Sequence, residues 1–214
     1  MSHEPNHTPA AARELRARTE RDGLYRAAHE HDACGVGFVV RMNGERSHDI
    51  VEKGLQILEN LTHRGACGCD PNTGDGAGIL MQVPHEFLVK ECAAAGIKLP
   101  EPGKYGVGLV FFPEDILERN TCLETFEKII REEGQKLLGW RPVPIDPDVA
   151  GPLARSSMPA IRHVLIGAGA GVRNQAALER KLYVIRKRVE HAIRESKLRD
   201  SESFYVASLS SRTL

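Results

Sequence analysis

The chain has 214 residues, 41% of them hydrophobic and 27% charged, with 29 Lys plus Arg against 29 Asp plus Glu. This composition excludes collagen, low-complexity and wholly disordered classes, and the zero formal charge gives no general pull toward nucleic acid or anionic lipid. No apolar run approaches the length of a membrane span.

Residues 1–33 stand apart. They hold four of the nine histidines and several Arg–Glu alternations, with only scattered apolar positions. There is no apolar signal-peptide core, and Glu4, Glu14 and Glu20 argue against an organelle transit peptide. With five cysteines at 34, 67, 69, 92 and 122 in no disulfide-scaffold spacing, the expected setting is the reducing cytoplasm. Residues 1–33 read as a leader or loosely attached arm, and 34–214 as the folded part.

From Cys34 the pattern tightens. Gly35 to Val40 is a short β-branched run predicted as a strand, ended by the tight-turn pair Asn43-Gly44. Ser47 can cap a helix with Ile50, Ile57, Leu58 and Leu61 on one face. A glycine-rich loop, Gly65 to Gly78, leads into Ile79 to Val83, predicted as a buried strand. Pro84 opens a helix through Ala95, which Gly96 ends. Tyr105 to Phe112 is a strand stopped by Pro113. The next helix has the apolar stripe Leu123, Phe126, Ile130 and Leu137.

Trp140 to Pro159 is proline-rich and predicted irregular, with one extended piece around Val143 and Ile145. Ile161 to Ala168 is a strand. Asn174 opens a long helix with the stripe Leu178, Leu182, Ile185, Val189 and Ile193, and Phe204 to Leu209 is the last strand. The class is mixed α and β. Periodicity leaves a parallel doubly wound sheet and a layered antiparallel sandwich both open.

Two segments can carry chemistry. A cysteine at the head of an apolar strand, followed by Gly35 and Gly37, admits close approach of a ligand at its backbone. If the leader is removed at Ala33-Cys34, residue 34 owns both a thiol and an α-amine, and an α-amine of pKa about 7.7–8.0 can take up the thiol proton near neutral pH. A small structural cysteine is the alternative. In the second segment, Thr62-His63-Arg64-Gly65 and Thr73 to Gly78, Arg64 can bind a carboxylate and the loop can offer N–H groups to an anion. The alternative there is a turn-rich connection in which Asp75 bonds its own backbone.

His31-Asp32-Ala33-Cys34-Gly35-Val36-Gly37-Phe38, the run from Gly54 through His63-Arg64-Gly65-Ala66 to Thr73-Gly74-Asp75-Gly76-Ala77-Gly78, and the closing Phe204 to Thr213 resemble one family. It is the large subunit of glutamate synthase, in its N-terminal class II glutamine amidotransferase domain. The resemblance covers residues 24–214. It implies an α+β fold of the N-terminal nucleophile (Ntn) hydrolase type, an α-β-β-α sandwich incomplete at its C-terminus. Residues 1–33 then match a cleaved propeptide.

Cys34 matches the nucleophile, with its α-amine as base, and Arg64 and Gly65 match the pair that packs beside it. Asp75 is expected nearby. The chemistry implied is attack on the glutamine side-chain amide, through a γ-glutamyl thioester. In the full-length parent the ammonia serves glutamate formation at FMN with an iron–sulfur cluster. Neither cofactor is expected in this segment.

The implied partners are L-glutamine, the C-terminal synthase domains and a small reductase subunit, with no nucleic acid or membrane. The family's oxyanion Asn-Gly lies in a His-Asn-Gly-Glu-type motif absent from residues 1–214. Asn43-Gly44-Glu45 imitates that motif only in part, so the chain reads as a fragment. An inactive fragment or interaction module, and a different class II amidotransferase, are the rival readings. Metal binding at His63, Cys67 and Cys69 fits zinc spacing poorly. The basic run 179–199 reads as a solvated helix face rather than an RNA-binding surface.

Overall fold

The computed structural model describes residues 17–18, 21–22, 35–65, 72–74 and 76–214. The chain forms two compact units, residues 1–66 and 67–214.

In the first unit, Gly35 to Val40 is extended without a ladder partner among the described residues, so the predicted strand is not part of a sheet. Gly44 adopts φ 71°, and Asn43 Oδ1 accepts from the Glu45 backbone N–H at 3.1 Å, closing the turn. Helix α1 (His48–Asn60) follows. Ser47 takes the extended N-cap conformation, but its side chain makes no cap bond. The apolar face predicted from spacing is present, with Ile50, Ile57, Leu58 and Leu61 half-buried.

In the second unit, helix α2 (His85–Ala94) is terminated as its glycine predicts. Gly96 takes φ 71°, its N–H bonds Ala93 C=O, and the Ile97 N–H reaches back to Cys92 C=O at 2.8 Å. This double closure satisfies carbonyls that the helix would otherwise leave unpaired. Four strands follow: β1 (Tyr105–Phe112), β2 (Lys136–Pro142), β3 (Ala160–Gly167) and β4 (Tyr205–Ser210). They form one sheet in the order β2-β3-β1-β4, antiparallel at every pairing. Of the two layouts left open by periodicity, the parallel one is thereby excluded.

Helices α3 (Ile116–Glu132) and α5 (Gln175–Arg194) cover one face of this sheet. The α5 stripe is as predicted: Leu178, Leu182, Ile185, Val189 and Ile193 are all buried. Asn174 Oδ1 caps it by accepting from the Ala177 N–H, and Asp115 Oδ1 caps α3 by accepting from Leu117 and Glu118. Phe112, Phe126, Trp140 and Phe204 meet edge to face between the layers, at ring separations from 5.3 Å for Phe126–Trp140 to 6.4 Å for Phe126–Phe204. Edge-to-face geometry sets the positive ring edge against a neighbour's negative face.

Two sequence expectations are corrected. Leu137 belongs to β2, not to the α3 stripe: Gly134 at φ 71° stops the helix first, with Gln135 N–H bonded to Ile130 C=O. The extended piece assigned around Val143 and Ile145 therefore lies earlier, at 136–142. Residues 79–83 are not a buried strand of the sheet. Leu80 is 74% exposed, and Met81 and Val83 pair only with Leu214 and Arg212 through three backbone bonds.

The other face of the sheet is covered by α2 at one end, where Leu88, Cys92 and Ile97 pack on Tyr105, Val107 and Leu165. Beside this patch lies a polar cluster in which Arg141 and His163 are buried and Glu91 is half-buried. Arg141 of β2 is 6% exposed, donates to Glu91 Oε2 at 2.7 Å, and places Nη1 3.5 Å from His163 Nδ1. Burial, reinforced by Arg141, drives the His163 imidazole down to about 4. Cys92 and Cys122 are both buried, as expected of packing residues, and burial raises both thiols.

Half of the lysines and arginines in the basic run 179–199 are in ion pairs. Lys181 and Arg188 reach Glu133, Arg188 also reaches Glu132, and Arg186 and Lys187 hold Glu190. Among the described residues no helix is long and apolar enough to cross a membrane.

Two predictions follow from this packing. A β-carbon on Gly106 would stand 2.3 Å from Leu182 Cδ1, so Gly106→Ala should destabilise the second unit by about 1–3 kcal/mol. A lower urea midpoint with an unchanged slope would show it. His163 is protonated in the unfolded chain near pH 6.5 but only near pH 4 when folded, so stability falls as pH drops from about 6.5 to about 4. The whole difference amounts to about 3 kcal/mol at most. His163→Phe should flatten this part of the stability–pH curve, and an equally steep curve in the variant would contradict the assignment.

Candidate functional site

Gly35 opens the longest described run of the first unit, immediately after Cys34. Gly35 to Arg41 runs antiparallel beside α1. A β-carbon on Gly35 would lie 3.0 Å from Leu61 Cδ2 and 3.2 Å from Arg64 Cβ, and one on Gly37 would lie 2.5 Å from Ile57 Cγ2. Arg41 closes the far end, donating to Asp49 Oδ2 and Glu45 Oε2 at 3.0 Å each. Lys53, one turn on, donates to the same Asp49 oxygen at 2.8 Å. Lys53 and then Arg41 hold the Asp49 carboxyl below its ordinary range.

The lengths agree. Six extended steps from residue 35 to 41 span roughly 20 Å, and twelve helical steps from 49 to 61 span roughly 18 Å. One end of the segment can therefore be tied to Asp49 while the other rests on Leu61 and Arg64.

Arg64 and Gly65 sit on a short turn, Thr62–Arg64, that continues α1. Thr62 Oγ1 donates to Glu59 C=O at 2.7 Å, and the Arg64 N–H donates to Leu61 C=O at 2.8 Å. Gly65 leaves the turn in an extended conformation, with its N–H on Thr62 C=O. The predicted neighbours of residue 34 are thus brought to Gly35. Cys34 itself, with His31, Asp32 and Ala33, lies outside the described residues, as do Cys67, Cys69 and Asp75.

The loop that contains Asp75 belongs to the second unit. Thr73 Oγ1 accepts from the Ala154 N–H of α4 (Pro152–Ser156), the Gly151 N–H bonds Asn72 C=O, and Gly76 takes φ 88°. Asn43-Gly44 is consumed by its own turn, so its resemblance to an oxyanion pair is confined to sequence. Among the described residues no three His, Cys, Asp or Glu side chains are grouped to hold a metal. His63 Nδ1 lies 3.0 Å from Asn60 C=O.

The second unit has a cavity of about 660 Å³ against Leu109, Phe111 and Tyr205, lined with hydroxyls but no carboxylate, imidazole or thiol. A second, of about 480 Å³, has an apolar floor with Lys98, Lys104 and Lys136 around it. Neither offers a nucleophile and base together. Sequence reasoning did not single out the Gly37–Ile57 contact. Its signal was present, as glycines two apart on the extended run and apolar residues four apart on the helix.

Residues 34–214 match the sequence model of the glutamine amidotransferases class-II. The chain is 46% identical over 192 residues to the glutamate synthase [NADPH] large chain of Bacillus subtilis, covering 90% of this chain and 12% of that protein. It is 38% identical over 191 residues to the large chain of the same name from Azospirillum brasilense, covering 89% and 12% respectively. It is 37% identical over 185 residues to ferredoxin-dependent glutamate synthase 2 of Synechocystis, covering 86% and 11%. The chain thus spans about an eighth of the length of these relatives. The matched region begins at the cysteine that heads the glycine-bearing run and takes in both segments singled out by their chemistry, and the chain belongs to the class II glutamine amidotransferases.

Proposed function

We propose that residues 34–214 form the glutamine-hydrolysing part of a glutamate synthase, with Cys34 as nucleophile. The observation that carries this reading is the seat of Gly35, the residue that follows the thiol, on the turn bearing Arg64, where a β-carbon added to the glycine would stand 3.2 Å from the arginine's Cβ. Similarity to the NADPH-dependent and ferredoxin-dependent glutamate synthases supports it.

In this reading residues 1–33 are a propeptide cleaved at Ala33-Cys34 in the cytoplasm, and the freed α-amine takes the thiol proton. The thiolate attacks the side-chain amide carbon of L-glutamine, and the C–N bond breaks as the amine returns the proton to departing ammonia. Water then cleaves the γ-glutamyl thioester to glutamate and restores the thiol. Arg64 binds the substrate carboxylate, and Gly65 leaves room beside it.

The sheet with α3 and α5 on one face is one α-β half of an Ntn-type sandwich. Its other face, partly apolar and covered at one end by α2 among the described residues, suits a second sheet. FMN and an iron–sulfur cluster belong to other segments of the parent enzyme. The C-terminal synthase domains and a small reductase subunit complete the partners.

Cys34→Ser should lower glutamine hydrolysis by at least about 10³-fold. Retention of turnover by Cys34→Ala would overturn the reading. Intact mass should show the active protein beginning at Cys34, and an active form keeping residues 2–33 would contradict the α-amine base. Arg64→Ala should raise KM for glutamine about 10- to 100-fold, with Arg64→Lys intermediate, because the guanidinium's fork grips a carboxylate better than a point charge does.

A further inference from the structure

Beyond the nucleophile and its arginine, the first unit contains a seam that the assigned chemistry does not use. On the extended segment, Gly35 and Gly37 are two residues apart and meet the same helix. Leu61 and Ile57, their partners on α1, are four apart and share one helix face. Val36, Phe38 and Val40 alternate with the glycines and are 89%, 88% and 69% exposed, so the contact with α1 is made by the glycine-bearing side.

Gly37 is outside the left-handed region, so its backbone would accept any residue. What excludes a side chain is the 2.5 Å approach that a β-carbon would make to Ile57 Cγ2, closer than carbon atoms tolerate.

We propose that Ile57 and Leu61 are positioning residues for the Cys34 thiol: through the side-chain-free backbone of Gly37 and Gly35 they fix how closely the segment bearing the nucleophile lies on α1, and so where the thiol stands relative to Arg64. The proposal rests on the reading of Cys34 as nucleophile. A β-carbon at 37 lifts the segment by a fraction of an ångström to an ångström, and a displacement of that size at a reacting group costs up to about 10²-fold in rate.

The test is the rate at which Cys34 is alkylated by 6-diazo-5-oxonorleucine, an electrophilic glutamine mimic, followed by peptide mass spectrometry of the full chain over a range of pH. Gly37→Ala should slow this labelling at least about tenfold. Adding Ile57→Ala, which removes the obstructing Cγ2, should restore the rate to within about threefold of wild type. Ile57→Ala alone, which loosens the seam without a clash, should slow it about threefold. Alkylation by iodoacetamide, which needs no oriented substrate, should change much less across the series.

Rescue by the second substitution is not expected of a variant that merely unfolds. Unchanged labelling in Gly37→Ala, or a double variant as slow as the single one, overturns the proposal while leaving the nucleophile in place. A wild-type chain whose Cys34 is not labelled by the glutamine mimic overturns the nucleophile reading, and the proposal with it.

Discussion

Leu182 of α5 occupies space that a β-carbon on Gly106 would invade, and Ile57 of α1 does the same at Gly37. In each unit a helix lies on extended backbone at a distance only glycine permits. The consequences differ in scale. At Gly106 the approach lets the α5 stripe settle on β1, so that Leu178, Leu182, Ile185, Val189 and Ile193 all lose contact with water. Burying an aliphatic side chain contributes about 1.5–3 kcal/mol, which makes this interface the main support of the second unit. At Gly37 the buried area is small, and the contact sets position rather than stability.

Position is what acyl transfer from an amide requires. The residues that follow Cys34 in the chain are held by Leu61 and Arg64 at one end and by the Arg41–Asp49 pair at the other. The charged cluster Arg141–Glu91–His163 has a different role. It is enclosed between β2, β3 and α2, where an unpaired guanidinium would be costly, and its pairing with Glu91 makes burial tolerable.

Much of the second unit was legible from the residues. β1 and β3 are short apolar runs with turn residues at their ends, and α5 repeats its apolar residues at helical spacing behind an Asn cap. Those are local signals, and local physics produced the elements. β2 was missed because Leu137 continues the helical spacing of α3. The stop signal was Gly134, whose left-handed backbone lets the Gln135 N–H close on Ile130 and turns the chain into the sheet. Ile79 to Val83 failed in the opposite sense: its apolar run predicts burial, but it pairs only with Arg212 to Leu214 outside the sheet.

At the candidate site, sequence alone pointed to the family and singled out the cysteine and the Arg-Gly pair as candidates, because these depend on residue type and spacing along the chain. It also determined the four longer helices and the mixed class, through periodicity, but not α4, a single short turn of helix inside the proline-rich stretch read as irregular. The antiparallel order β2-β3-β1-β4, the enclosure of Arg141 with His163, and the seating of Gly35 and Gly37 on Leu61 and Ile57 were decided by tertiary structure. Each depends on which surfaces meet across 20 to 100 residues of chain, and periodicity along a strand or helix carries no information about its partner.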